Sequence, residues 1–389
     1  MQTASRAFVL LTVFGACSPA TSPTVVPRPP QQEPIAGVVS SRGTRVQSVR
    51  PPSLVATRAG QELVYEIVIA LPADGPPFQI DRIEVIEGSR SLTSLDAPAI
   101  AASMIVRAPD HKLVLPLPDV VSAGQEAVVF MKHELASDAK IADHLLVNVS
   151  LKYAGGPTEI AALEVPVLPV APVVLGPPIR GGPWLAINGL SNGSLHRRTV
   201  PPFPTVHVPE RYAIDYLLAN DAGRIASTPG TKNEEHFAYG KELLAVGDGT
   251  IHSTLDGLPD NAPGMGPVAV VTRENIAGNM VMLSLDGGAH VLYAHLVPGS
   301  LKVKRDDRVK KGDVLGLLGN SGNSSAAHLH IHVSDRPDAL ESEGLPFVFE
   351  SFTYVGKIVG GTGFDVVWGP RASEPQSRLL PREDEANAF

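Results

Sequence analysis

Apolar positions fall in short runs over the first half of the chain, and turn-forming residues part them. Leu145, Val147, Val149 and Leu151 alternate with Leu146, Asn148, Ser150 and Lys152. A period of two marks a strand with one face in a core. Leu63–Ile69, Ile80–Ile86, Leu113–Leu117 and Ala127–Met131 are further apolar runs rich in β-branched residues. Turn signals separate them at Ala73-Asp74-Gly75-Pro76-Pro77, Ser122-Ala123-Gly124 and Gly155-Gly156-Pro157. This spacing predicts a small β-sandwich over residues 46–170.

A Pro/Gly-rich stretch from Pro166 to Pro183 marks a boundary. Beyond it the pattern is again β, with runs at Leu243–Val246, Val268–Thr272, Val281–Leu285, Ala289–His295 and Val314–Leu318. Asp248-Gly249 and Asp286-Gly287-Gly288 read as hairpin turns. A second domain is therefore expected over 175–370, followed by a polar, disordered tail over 371–389. The fold class is all-β.

Composition agrees with many short strands: Gly and Pro number 36 each in 389 residues, nearly a fifth of the chain. A formal charge of −8 without a basic tract argues against nucleic acid as a partner. The one cysteine, Cys17, excludes an intramolecular disulfide. Arg6, the apolar run Ala7–Phe14 and the small residues Gly15-Ala16 before Cys17 form a secretory signal over residues 1–17. Small residues directly before the Cys resemble the lipoprotein form, in which Cys17 would carry a membrane anchor; the alternative is a plain secretory signal with an incidental Cys. Residues 18–45, opening on the Pro/Ser/Thr-rich Ser18–Pro34, read as an extended tether.

The chemistry concentrates near His328-Leu329-His330. On a strand, residues two apart share a face, so His328, His330 and His332 would point the same way. Two imidazoles on one face can hold zinc, or one can hold it while the other moves protons. Three further motifs precede this one in order: Tyr293-Ala294-His295-Leu296, Val309-Lys310-Lys311-Gly312-Asp313 and Gly319-Asn320-Ser321-Gly322. Together they resemble the lysostaphin/LytM-type (M23) zinc metallopeptidases, over roughly residues 240–333. The resemblance implies an antiparallel β-sheet peptidase domain, a bound Zn2+ and peptidoglycan peptides as substrate. It also implies that His330 is a metal ligand and that His295 and His328 are catalytic.

The family's remaining ligands lie in an upstream HxxxD pattern, from which this chain departs. Asp215 supplies the acid, but Arg211 stands four residues before it and cannot bind a metal. His196, in the segment Ser194-Leu195-His196-Arg197-Arg198, is the first candidate for the missing imidazole, with His207 second and His236 third. An antiparallel neighbour strand would be one way to bring His196 opposite Asp215. The loops Asp256–Gly266 and Asn320–Ser325 are expected to form opposite walls of a cleft. Two other readings stay open: a catalytically inactive regulator of another wall hydrolase, and a metal-independent wall-binding module.

Overall fold

The computed structural model describes residues 37–168, 170–362 and 365–389. The signal, Cys17 and the tether up to residue 36 lie outside the described residues.

Two antiparallel sheets make up the N-terminal module. In one, the long strand Gly60–Ala70 lies between Arg45–Ser48 and Glu126–Leu135, with Ser53–Thr57 also paired to it. In the other, the order is Thr158–Pro166, His144–Tyr153, Phe78–Glu87, Arg90–Asp96. The two share one core: Leu63, Tyr65, Ile67 and Ile69 from the first pack with Ile83, Val85, Leu145, Val147, Val149 and Leu151 from the second. The predicted alternation of Leu145–Leu151 is therefore the face that the second sheet turns to this core.

The strand Gly60–Ala70 is buried along nearly its whole length. Its second face, Val64, Glu66 and Val68, lies against the C-terminal domain. Val64 packs with Tyr212 and Ile214, and Val68 with Val206 and Val208. A sheet covered on both faces reads as a continuous apolar run, and Leu63–Ile69 does so apart from Glu66.

Several expectations need correction. Leu113–Leu117 is not a strand; only Leu113 makes an isolated bridge, to Arg107. Pro116 and Pro118 remove the donors a ladder needs, and Leu115 stays 75% exposed. The tether does not run to residue 45, because Val38–Val39 already pairs with Arg45 and Val46. The segment 371–389 is not a disordered tail. Asp365–Leu379 and Glu385–Ala388 are strands paired with Phe347–Thr362. Leu380 is fully buried, and the Phe389 ring packs against Tyr216, Phe349 and Phe352. A few apolar anchors were enough to order a stretch whose polar average hid them.

The C-terminal domain is built on one large sheet. Its central strands run in the order Trp184–Ile187, Ile214–Leu218, Leu329–Ser334, His290–Leu296, Asn279–Leu285, Gly249–Leu255, all antiparallel. Asp286-Gly287-Gly288 is the hairpin turn predicted for it, closed by Leu285 N–H to the Ala289 carbonyl. Asp248-Gly249 instead leads between two sheets, since Glu242–Leu244 pairs with Val314–Leu317. Val268–Thr272 is loop, not strand, with Val268 and Val270 exposed. The core beneath the sheet gathers Trp184, Tyr216, Ile251, Tyr293, Leu329 and Phe347.

Candidate metal centre and active site

Strand register brings the first residues together. Asp215 lies directly across from His330, and His330 from Ala294 on its other side. Directly opposed residues share a face and sit ~5 Å apart at Cβ. The carboxylate and the imidazole thus meet, with His330 Nδ1 3.0 Å from Asp215 Oδ1.

His196 completes the group by another route. It belongs to no strand. Leu195–Arg198 is a single helical turn, and the strand beside Asp215 is Trp184–Ile187, with Ile187 opposite Asp215. The expected antiparallel neighbour is therefore replaced by a helix that drops one imidazole into the cleft. His196 Nε2 is 3.1 Å from Asp215 Oδ2 and 3.2 Å from His330 Nδ1. Ligand atoms ~2.0 Å from a tetrahedral zinc are spaced about 3.3 Å apart. The separations in this group approach that edge, and two imidazoles with one carboxylate is a donor set that suits zinc.

Arg211 stands where the HxxxD imidazole would be, and it is spent elsewhere. Its Nε donates to Glu66 Oε2 at 2.8 Å and its NH2 to Glu343 Oε2 at 2.7 Å. His207 is also drawn to Glu343, its Nδ1 lying 3.0 Å from Oε1. His236 bonds the Gly230 carbonyl through Nε2. Neither lines the cleft.

His295 reaches the site by breaking its strand. Neighbouring strand residues point to opposite faces. Yet Ala294 and His295 both line the cleft, because His295 adopts φ +67°. A left-handed backbone is costly for a residue with a Cβ and tends to occur at functional positions. Two bonds hold the turn: His295 N–H donates to the Ala277 carbonyl, and Nδ1 donates to the Ser321 carbonyl at 2.7 Å. Nε2 remains the nitrogen able to accept a proton. Gly278, which follows Ala277, has φ +66°, and a Cβ there would lie 2.4 Å from the Ser321 carbonyl oxygen.

His328 faces His295, with ring centroids 4.8 Å apart. Its Nδ1 donates to the Ala326 carbonyl at 2.8 Å, and its Nε2 lies 3.4 Å from Asp215 Oδ1. His332 is buried on the same strand face, its Nδ1 3.0 Å from His330 Nε2. Glu210 Oε1 lies 3.7 Å from that same nitrogen.

Environment divides these histidines. Burial pushes His295 well below the usual range, and the neighbouring His328 and His330 add to this. Burial likewise holds His332 low. His328 is buried too, but the Asp215 carboxylate outweighs this and raises it. The same carboxylate lifts His196 to about 9 against its burial. Asp215 itself is held well below the usual carboxylate range despite burial, by His196 and His328.

The pattern of the sequence did not reveal Asn188 or Glu210. Asn188 has φ +54° and donates through Nδ2 to Asp215 Oδ2 at 2.9 Å. The dipeptide Asn188-Gly189 after an apolar run is a turn signal that could have flagged it. The two predicted cleft loops are joined rather than opposed. Asn261 Nδ2 donates to the Gly322 and Ser324 carbonyls, and Asp260 accepts from Asn320 N–H. They form one wall of a cleft of about 310 Å³, which is also lined by Leu195, Thr199, Leu292 and Leu340.

Comparison with known proteins relates the C-terminal part of the chain to peptidases. Residues 237–341 match Peptidase family M23. The chain is similar to DD-carboxypeptidase/endopeptidase Mpg of Neisseria meningitidis, 33% identical over 142 residues, covering 33% of this chain and 32% of that protein. It is also similar to peptidoglycan DD-endopeptidase ShyB of Vibrio cholerae, 32% identical over 99 residues, covering 25% of this chain and 23% of that one. The chain thus spans about a third or less of the length of these relatives. Among solved structures, the catalytic domain of lysostaphin from Staphylococcus simulans aligns at 20% identity and TM-score 0.23, covering 44% of this chain and 86% of that one. The C-terminal part of the chain carries a domain of peptidase family M23.

Proposed function

We propose that this domain is a zinc-dependent endopeptidase that cleaves peptide bonds in bacterial peptidoglycan. The observation that carries this reading is the meeting of His196, Asp215 and His330 at tetrahedral-edge spacing, beside two more imidazoles in one cleft. Zinc held by these three side chains would supply a water that ionises near neutral pH and a Lewis acid for the scissile carbonyl.

The chain's own groups divide the remaining work. His295 is neutral and anchored through Nδ1, so its Nε2 accepts the proton of the attacking water and returns it to the leaving amine. His328, whose Nε2 lies 3.4 Å from Asp215 Oδ1 in the same cleft, is placed to donate to the oxygen that gains charge in the transition state. Groups whose environments push them apart are suited to opposite roles in proton transfer. Asn188 and the strand ladder keep the Asp215 carboxylate oriented.

The names of the relatives supply the substrate class, and the exposed Leu195 and Met265 line the cleft that would take it. The inactive-regulator reading rested on the missing HxxxD imidazole, and His196 standing beside Asp215 weakens it. Metal analysis of purified protein, combined with release of amino groups from purified wall material, separates the readings. One zinc with release supports the peptidase; zinc without release supports the regulator; neither supports a binding module.

We also propose export and lipid anchoring at Cys17, with the tether spacing the enzyme from a membrane. Cys17→Ser should move the protein from the membrane fraction to the soluble one, since the lipid chains would be its main membrane contact. An unchanged distribution would rule out the anchor.

A further inference from the structure

His196 is the one member of the metal group not fixed by a strand ladder. Its helix has four residues and no side-chain cap at Ser194, and Leu195 beside it is 69% exposed. A single turn does not hold itself in water. Its position must come from what grips it.

Much of that grip comes from the N-terminal module. Arg197, which follows His196, is fully buried. Its NH2 donates to Glu66 Oε1 at 2.9 Å, to the Tyr65 carbonyl at 3.1 Å and to the Met131 carbonyl at 3.2 Å. Its NH1 donates to Asn192 Oδ1 at 2.8 Å and to the Leu190 carbonyl at 3.3 Å. Arg198 adds a bond from NH2 to the Met104 carbonyl at 2.7 Å. Gly60–Ala70, Glu126–Leu135 and Met104–Arg107, a strand paired with Glu126–Leu135 in the same sheet, therefore clasp one turn of helix. Glu66 also accepts from Arg211, four residues before Asp215, so one carboxylate ties the helix to the start of the ligand strand.

We infer that the N-terminal module is a structural part of the active centre, with Arg197 and Glu66 as positioning residues that hold the His196 imidazole at the metal. This rests on the zinc reading proposed above. Neither residue lines the cleft. The planar guanidinium suits the task because its donors leave in fixed directions and lock the backbone that carries the next side chain. It also accounts for Arg211: the position usual for a ligand has become part of the clasp, and the ligand has moved onto the clasped helix.

The test uses the full chain and zinc itself. Affinity is read by competition with a chelator, and ligand geometry by the absorption of the cobalt(II)-substituted protein. Arg197→Met keeps the aliphatic stem and leaves Glu66 paired with Arg211; Arg197→Lys keeps the charge but loses the fork. Val149→Ala, in the module's own core, serves as a control that lowers stability without touching the clasp. Residues that orient metal ligands are typically worth about 10–100-fold in metal affinity. Arg197→Met should weaken zinc binding by about that factor and alter the cobalt spectrum, Arg197→Lys should fall between, and excess zinc should restore turnover. Val149→Ala should bind zinc as the wild type does while melting lower. Wild-type affinity and spectrum in Arg197→Met would overturn the inference and leave the zinc reading intact. A wild-type protein that binds no zinc would remove that reading, and this inference with it. Should Arg197→Met fail to fold, Arg197→Lys is judged by the same two outcomes.

Discussion

The two halves of the proposed metal group are built by different means. Asp215 and His330 stand on neighbouring strands of one sheet, where the hydrogen-bond ladder sets their separation. His196 rides on a lone helical turn whose place is fixed by Glu66, 131 residues away from Arg197. A ladder is a local device, written in strand pattern and register. A clasp between domains is written in residues far apart, and little in the sequence around His196 announces it. The ladder half should therefore be intolerant of ligand loss, while the clasped half should also respond to changes far from the metal.

The largest effect expected is on the ladder. Asp215→Ala and His330→Ala should lose zinc and turnover together, because three protein ligands are the usual complement of a catalytic site. Metal analysis and wall digestion check this. Full zinc occupancy in both variants would dismiss the assignment. Next come the two imidazoles beside the metal. His295→Ala and His328→Ala should keep zinc and lose ~10² to 10⁴-fold in turnover, the usual worth of a placed acid–base group. Loss of zinc in either would move that residue into the ligand set.

How far the site could be read in advance follows the same division. The motifs around Tyr293, Gly312, Asn320 and His328 lie within some forty residues, and each marks a strand or turn of the C-terminal domain. They led to His295, His328 and His330. His196 was reached only as the first of three candidates, and the strand expected to carry it is a helix. Asn188 and Glu210 carried no motif. The errors in the fold share a cause: Leu113–Leu117 and Val268–Thr272 have apolar patterns without strand partners, and 371–389 has partners without an apolar pattern. Periodicity reports what a segment could bury, not whether a neighbour exists to bury it against.

Acid sharpens the comparison through one buried imidazole of the N-terminal module. His133, in the strand Glu126–Leu135, is buried and bonded to Tyr65 Oη and Thr93 Oγ1. Burial, with the Arg197 charge adding, pushes it down to about 4. A folded value below the unfolded one of about 6.5 means that the neutral ring is favoured in the fold. Its contribution is complete above pH 6.5 and fades as pH falls toward 4, at a cost of about 2 kcal/mol by pH 5. His133→Gln keeps a polar partner for Tyr65 but does not titrate, so its melting temperature should fall less between pH 7 and pH 5. Equal losses in both proteins would show that another group governs acid stability.

The smallest effect expected tests whether His196 is the right third ligand. His207 competes for the role on sequence grounds, since it lies only eight residues before Asp215. Its imidazole is turned to Glu343, which Arg211 also binds, so removal leaves that carboxylate still paired. His207→Ala should cost about 1 kcal/mol for one lost hydrogen bond. Zinc affinity and turnover should stay at wild-type values, whereas His196→Ala should lose both. The same holds for His236→Ala, whose ring bonds the Gly230 carbonyl rather than facing the cleft. A fall in zinc content in His207→Ala, with His196→Ala unaffected, would return the ligand to the segment before the Asp215 strand. The clasp would then be a brace between two domains and nothing more.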